Sequence, residues 1–232
     1  MLDPANFDAV LFDMNGTFMF GHDRLGEDED YHATYRSLGG EQLDAATVHG
    51  AVVAAVRDLT EKYYDTRWFD CFPSVADTLS TMPFSAHLPP AERELICDTI
   101  VVHELGDIDD DHAAGIRNIA ASHPLGVVSN IWSRKQRWLD RFSERGVLDT
   151  FGPIVFSSDG PYIKPSPGLF SQALSALGTA TTRTLFVGDD PICDVAGEQA
   201  VGMPAVLVGN ADSSGIGLDR EMPHLPALAD LF

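Results

Sequence analysis

Four carboxylates, a lysine and a serine stand in this sequence where strands should end. Asp13 follows the apolar, β-favouring run Val10-Leu11-Phe12, and Asn15 and Gly16 then break the strand. Leu125-Gly126-Val127-Val128 runs into Ser129-Asn130. Arg183-Thr184-Leu185-Phe186-Val187 runs into Gly188-Asp189-Asp190, with Asp194 just beyond. Lys164 lies between them in Ile163-Lys164-Pro165-Ser166-Pro167. Parallel strands would bring these groups to one carboxyl edge of the sheet, the edge where open α/β sheets bind ligands. The carboxylates cannot converge bare, because unit charges about 4 Å apart repel by about 4 kcal/mol at an effective dielectric near 20. A divalent cation resolves the conflict. An oxygen-only ligand set favours magnesium, which commonly takes one or two carboxylates, waters and a substrate phosphate. Lys164 and Ser129 would grip that phosphate from the other side.

The intervening patterns say how these groups are held. Residues 18–26 read as a short hairpin or flap, and Glu27 to Asp30 open a helix carrying Tyr31, Tyr35 and Leu38. Val48, Val52, Val56, Leu59 and Tyr63 form a longer amphipathic stripe, and helices are expected from Pro73-Ser74 to Met82 and from Pro89-Pro90 onward. From about Asp109, helix and strand alternate. Helices are expected near 110–122, 132–145, 166–177 and 191–201, and strands at Leu125–Ser129, Ile154–Phe156, Arg183–Val187 and Ala205–Val208. Helical segments of this length between strands imply parallel pairing with helices on both faces. The expected fold is α/β, a Rossmann-like parallel sheet core with an inserted all-helical cap. The core would comprise residues 1–17 and 113–232, and the flap and cap 18–112.

Composition narrows the partners. Among 232 residues there are 15 Lys plus Arg against 35 Asp plus Glu, a formal net charge of -20 that repels nucleic acid and anionic membranes. Cys71, Cys97 and Cys193 have no paired spacing, so a reducing, cytoplasmic setting is expected, with no disulfide or zinc framework. No apolar run has membrane length, and the N-terminus does not read as a signal peptide. A monomer or homodimer is expected.

Asp13-x-x-Gly16-Thr17, Ser129-Asn130, Lys164-Pro165-x-Pro167 and Gly188-Asp189-Asp190-x-x-x-Asp194, with Gly197 and Gly202-Met203, resemble the four ordered motifs of the haloacid dehalogenase superfamily. The resemblance spans the core; the insert is similar to that superfamily's cap only in position and helicity. It implies a hydrolase acting on a small phosphorylated metabolite. Asp13 would be the nucleophile that forms an aspartyl-phosphate, and a carboxylate, ionised at neutral pH, needs no activating base. The resemblance implies that Ser129 and Lys164 hold the phosphoryl group, with Thr17 and Asn130 beside them. Asp13, Asp189 and the Asn15 carbonyl would ligate Mg2+, and Asp190 or Asp194 would orient Lys164 and the metal's waters.

Asn15 departs from the pattern. Most phosphatases of this superfamily have Asp there, as acid to the leaving oxygen and then base to water. An amide does neither, and such catalysis is commonly worth roughly 10²–10⁴-fold. Four readings stay open: a phosphatase whose leaving group needs little protonation, such as an acyl phosphate or phosphoanhydride; a 2-haloacid dehalogenase; a catalytically impaired phospho-ligand-binding protein; or a residue introduced in the laboratory. Dehalogenases of the superfamily dispense with the metal, whereas Asp189, Asp190 and Asp194 are all present here. Arg67, Trp68 and Phe69, and His22, Asp23 and Arg24 of the flap, are further candidates for substrate contact, although helix packing is the simpler role. His103, His112, Trp132 and Trp138 read as packing residues and Arg134 as solvated. Cys193 has no neighbouring base to activate it.

Overall fold

The computed structural model describes residues 4–197, 201–209 and 224–225. A six-stranded sheet has the order β3-β2-β1-β4-β5-β6 and is parallel throughout. Its strands are β1 (Ala9–Phe12), β2 (Leu125–Ser129), β3 (Phe151–Phe156), β4 (Thr184–Gly188), β5 (Ala205–Val208) and β6 (His224–Leu225). Strands β1, β2, β4 and β5 are buried along their whole length, as expected of strands covered on both faces. Alternation then sorts their side chains. Val10, Phe12, Leu125, Val127, Leu185 and Val187 pack on one face with α5 (Asp110–Ala120) and α6 (Gln136–Glu144). Leu11, Val128 and Phe186 pack on the other with α7 (Pro167–Leu177).

β1 is central, and the chain builds outward to β2 and β3 on one side before crossing to β4 and β5 on the other. The sheet therefore has its switch point at β1, and Asp13, Ser129 and Asp189 leave neighbouring strands at that carboxyl edge.

Between β1 and α5 lie α1 (Tyr31–Ser37), α2 (Ala45–Tyr63), α3 (Val75–Thr81) and α4 (Pro90–Glu104). They share a separate hydrophobic cluster that includes Tyr31, Tyr35, Val52, Leu59, Leu79 and Ile100. Local chemistry sets their starts. Asp30 and Asp44 accept from the backbone N–H groups of Ala33 and Thr47, and Ser74 and Asp77 form a capping box. Glu27 to Asp30 thus precede the first helix, Asp30 being its cap.

The flap differs from a self-paired hairpin. Phe20 exchanges backbone hydrogen bonds with Asp107 (2.9 and 2.8 Å), and Asp23 and Arg24 donate to the carbonyls of Glu104 and His103. The segment entering the helices is thus paired with the segment leaving them. Phe18, Met19 and Ile108, expected with the insert, are buried in the core cluster, and the division expected after residue 112 falls inside α5. The helix expected over 191–201 begins as a π-type turn, Pro191–Ala196; residues 198–200 lie outside the described residues. Among the described residues, no helix is long and apolar enough to cross a membrane.

Candidate active site

The turn after β1 is built on Met14, whose carbonyl accepts from the N–H groups of Thr17, Phe18 and Met19. Gly16 adopts φ +80°, and a Cβ there would stand 2.1 Å from Asp189 Oδ2, so only glycine lets the backbone pass that carboxylate. Thr17 Oγ1 donates to Asp189 Oδ1 at 3.3 Å. Asp13 N donates to Val187 O at 2.8 Å, which fixes the nucleophile candidate to the neighbouring strand.

Around Asp13 the expected groups meet. Ser129 Oγ donates to Asp13 Oδ1 at 2.8 Å, and Lys164 Nζ donates to the same oxygen at 2.6 Å. Lys164 Nζ also donates to Asp194 Oδ1 at 2.6 Å. Lys164 is 2% exposed, and burial alone would favour its neutral form. The charges of Asp13 and Asp194 outweigh that and raise its pKa, keeping it an ammonium. Asp194 Oδ2 accepts from the N–H groups of Asp189 and Asp190 (3.1 and 3.0 Å), so this one residue both holds the lysine and folds the loop after β4. Asp190 instead caps the π-type turn, accepting from Ile192 N and Cys193 N.

Oxygens of Asp13, Asp189 and Asp194 lie within 4.8 Å of one another. Lys164 pairs with both Asp13 and Asp194, so Asp189 is the acid of the three that the lysine does not touch. Burial and the charge of Asp13 push the Asp189 carboxyl up to about 7, which marks a site with uncompensated negative charge. Two hard oxygen donors in that condition fit a magnesium ion.

Asn130 lines the cavity and also bonds the lysine's backbone. Its Oδ1 accepts from Lys164 N at 2.8 Å, while its Nδ2 donates to Lys164 O (3.2 Å) and to Tyr63 OH (3.0 Å). These bonds position the lysine's backbone. The Tyr63 hydroxyl also meets Cys193 Sγ at 3.3 Å, and burial beside Asp190 pushes that thiol up to about 12, so Cys193 is no nucleophile. Asn15 Oδ1 is buried with no hydrogen-bond partner among the described residues.

Above these groups is a cavity of about 450 Å³ whose wall includes Asp13, Asn15, Ser129, Lys164 and Asp189. His22 and Asp23 reach it from the flap, whereas Arg24 turns to the Val102 carbonyl (2.6 Å). Arg67 pairs with Asp65, Trp68 and Phe69 pack on the helical cluster, Arg134 pairs with Glu94, and none of these lines the cavity. His103 packs against Tyr31 (4.7 Å between ring centroids), His112 against Phe20, and Trp138 is buried in the core. Glu104 and Tyr63 are wall residues that their sequence contexts did not single out. Glu104, at the end of α4, accepts from Trp132 N (2.6 Å) and Ser133 N (3.1 Å) and so ties the insert to the loop after β2.

A parallel sheet with flanking helices that gathers a buried carboxylate, a buried lysine and further acids at its switch point is a Rossmann-like α/β fold. The comparisons agree. Residues 162–227 match the HAD-hydrolase-like family. The haloacid dehalogenase-like hydrolase domain-containing protein 3 of Danio rerio is 33% identical over 100 residues, covering 43% of this chain and 40% of that protein. The glyceraldehyde 3-phosphate phosphatase of Methanothermobacter thermautotrophicus is 33% identical over 86 residues, 37% of each chain. The chain thus spans about two fifths of the length of these curated relatives. The structure of a 2-haloacid dehalogenase from Pseudomonas syringae shares the fold with a TM-score of 0.65, at 20% identity over 97% of this chain and 96% of that one. Over these stretches the chain is similar to haloacid dehalogenase-like hydrolases, and it shares their fold.

Proposed function

We propose that the protein is a magnesium-dependent phosphatase acting on a small phosphorylated metabolite through an aspartyl-phosphate at Asp13. The observation that carries this reading is Lys164, whose ammonium joins Asp13 to Asp194 and leaves Asp189 for a cation. Asp13, Asp189 and the main-chain carbonyl of Asn15 would hold the ion. When bound, magnesium offsets the charge of the two carboxylates and of the phosphoryl group.

Substrate arrival would move Ser129 Oγ and Lys164 Nζ from Asp13 Oδ1 to a phosphoryl oxygen, freeing the carboxylate to attack phosphorus as the ester bond breaks. Water then attacks the aspartyl-phosphate, releases phosphate and restores Asp13. Asp194 keeps the lysine charged and aimed, and Asn130 fixes the backbone that carries it. Asn15 positions a water without trading protons. The helical insert, residues 18–112 with its ends paired at Phe20 and Asp107, serves as a cap that excludes water and shapes the cavity. A relative called a phosphatase, and the presence of Asp189, Asp190 and Asp194 after β4, support phosphoryl transfer over dehalogenation.

The test is a release assay with and without magnesium on phosphoesters, acyl phosphates and 2-haloacids. Magnesium-dependent phosphate release that is lost in Asp13→Asn is expected. Metal-independent halide release would establish the dehalogenase instead, and phosphate binding without turnover would leave a binding protein.

A further inference from the structure

The cavity's upper wall is aromatic, acidic and poor in cations. Tyr63 stands edge-on to Trp132 (centroids 5.8 Å apart, planes at 61°) and to Tyr64 (5.3 Å, 77°). Both neighbours line the cavity with it, and Tyr64 is 79% exposed, a large ring left uncovered at the mouth. Aromatic faces offered in this way bind flat apolar groups. Among the described wall residues Lys164 is the only lysine or arginine, and both of its contacts are carboxylates. Beyond Asp13 and Asp189, the wall adds Asp190 and Asp23, the latter beside His22. A substrate carrying a second carboxylate or phosphate would meet these acids without a partner, a juxtaposition that costs several kcal/mol.

Asn15 points the same way. With no acid beside the leaving oxygen, the ester bond breaks readily only if the departing group is stable as an anion. A phenol, with a pKa of about 10, meets that need far better than an aliphatic alcohol.

We propose that the substrate is an aryl phosphate, a monoester whose organic part is an uncharged aromatic ring seated against Tyr63, Tyr64 and Trp132. The inference rests on the phosphatase reading above. In the first step the Asp13 oxygen–phosphorus bond forms, the phosphorus–aryl oxygen bond breaks, and the phenolate keeps the electron pair and is protonated by solvent.

The test measures kcat/KM, which reports the first step, for phenyl phosphate, 2-phenylethyl phosphate, propyl phosphate and phosphoglycolate, all with magnesium. Phenyl phosphate should lead, but aryl esters are intrinsically reactive, so the two aliphatic comparisons decide. 2-Phenylethyl phosphate should exceed propyl phosphate about 10-fold, and Tyr64→Ala should shrink that ratio several-fold. It should exceed phosphoglycolate about 100-fold, and Thr60→Arg, which adds a cation at an exposed wall position, should cut that ratio at least 10-fold. In Asp13→Asn, titration followed by tryptophan fluorescence should show phenyl phosphate binding at least 10-fold more tightly than phosphoglycolate. Phosphoglycolate matching 2-phenylethyl phosphate, or a ring that confers no advantage, overturns the assignment and leaves the phosphatase intact. Phosphate release from none of the four, nor from acyl phosphates, overturns the phosphatase reading itself.

Discussion

Lys164 donates to Asp13 Oδ1 at 2.6 Å from 151 positions away in sequence, and the pair is buried. The same ammonium holds Asp194, so removing it sets two buried carboxylates against each other. Lys164→Met keeps most of the stem and loses the charge. Its unfolding free energy in urea should fall by about 3–5 kcal/mol, the usual cost of stranding a buried charge. Turnover should fall by about 10²-fold or more. A variant of unchanged stability and activity would show that the lysine is not the hub.

Asn15→Asp should restore an acid to the leaving oxygen. The kcat/KM for alkyl phosphates should rise at least about 10-fold, and that for acyl or aryl phosphates much less. Equal gains on all esters would show that leaving-group protonation is not what Asn15 lacks.

Asn130→Ala removes three hydrogen bonds, two of them to the backbone of Lys164. The expected loss is about 1–3 kcal/mol of stability and about 10-fold in kcat with KM little changed, because the lysine is misplaced rather than lost. A rise in KM with kcat preserved would instead put Asn130 on the substrate, as its place in the sequence motif suggests.

Glu104 predicts a pH dependence. Its carboxyl is fully buried and pushed up to about 7, burial being the main cause. Between its unfolded value and pH 7 the folded state holds a proton that the unfolded chain has released, so stability falls as pH rises through that window. Relative to Glu104→Gln, the wild-type protein should lose about 2 kcal/mol between pH 5 and pH 8. A difference between the two proteins that stays constant over that range would show that Glu104 is ionised throughout.

The sheet and the positions of Asp13, Ser129 and Asp189 were legible because each ends an apolar run at a turn, a purely local signal, whereas Lys164, in a loop, was legible only through its motif Lys164-Pro165-x-Pro167. Ser129 and Lys164 converging on one oxygen of Asp13 follows once parallel order is granted. Residues 18–26 read as a hairpin or flap, and the sequence could not choose between them because Phe20 bonds to Asp107, 87 positions away, and nothing local to Phe20 signals that partner. Glu104 ends a helix whose apolar stripe gives no hint that the acid points inward to Trp132 N. Asp190 and Asp194 are equivalent as letters, and only the geometry of the turn after β4 gives the lysine to Asp194 and makes Asp190 a helix cap.

The most direct measurement is a peptide map of the protein acid-quenched during turnover of acetyl phosphate with magnesium. Because Asn15 cannot activate water, the covalent species should accumulate, and the phosphoryl group should be found on Asp13 and be absent from Asp13→Asn. Steady phosphate release while the Asp13 peptide stays unmodified at every quench time would contradict a nucleophilic role for Asp13.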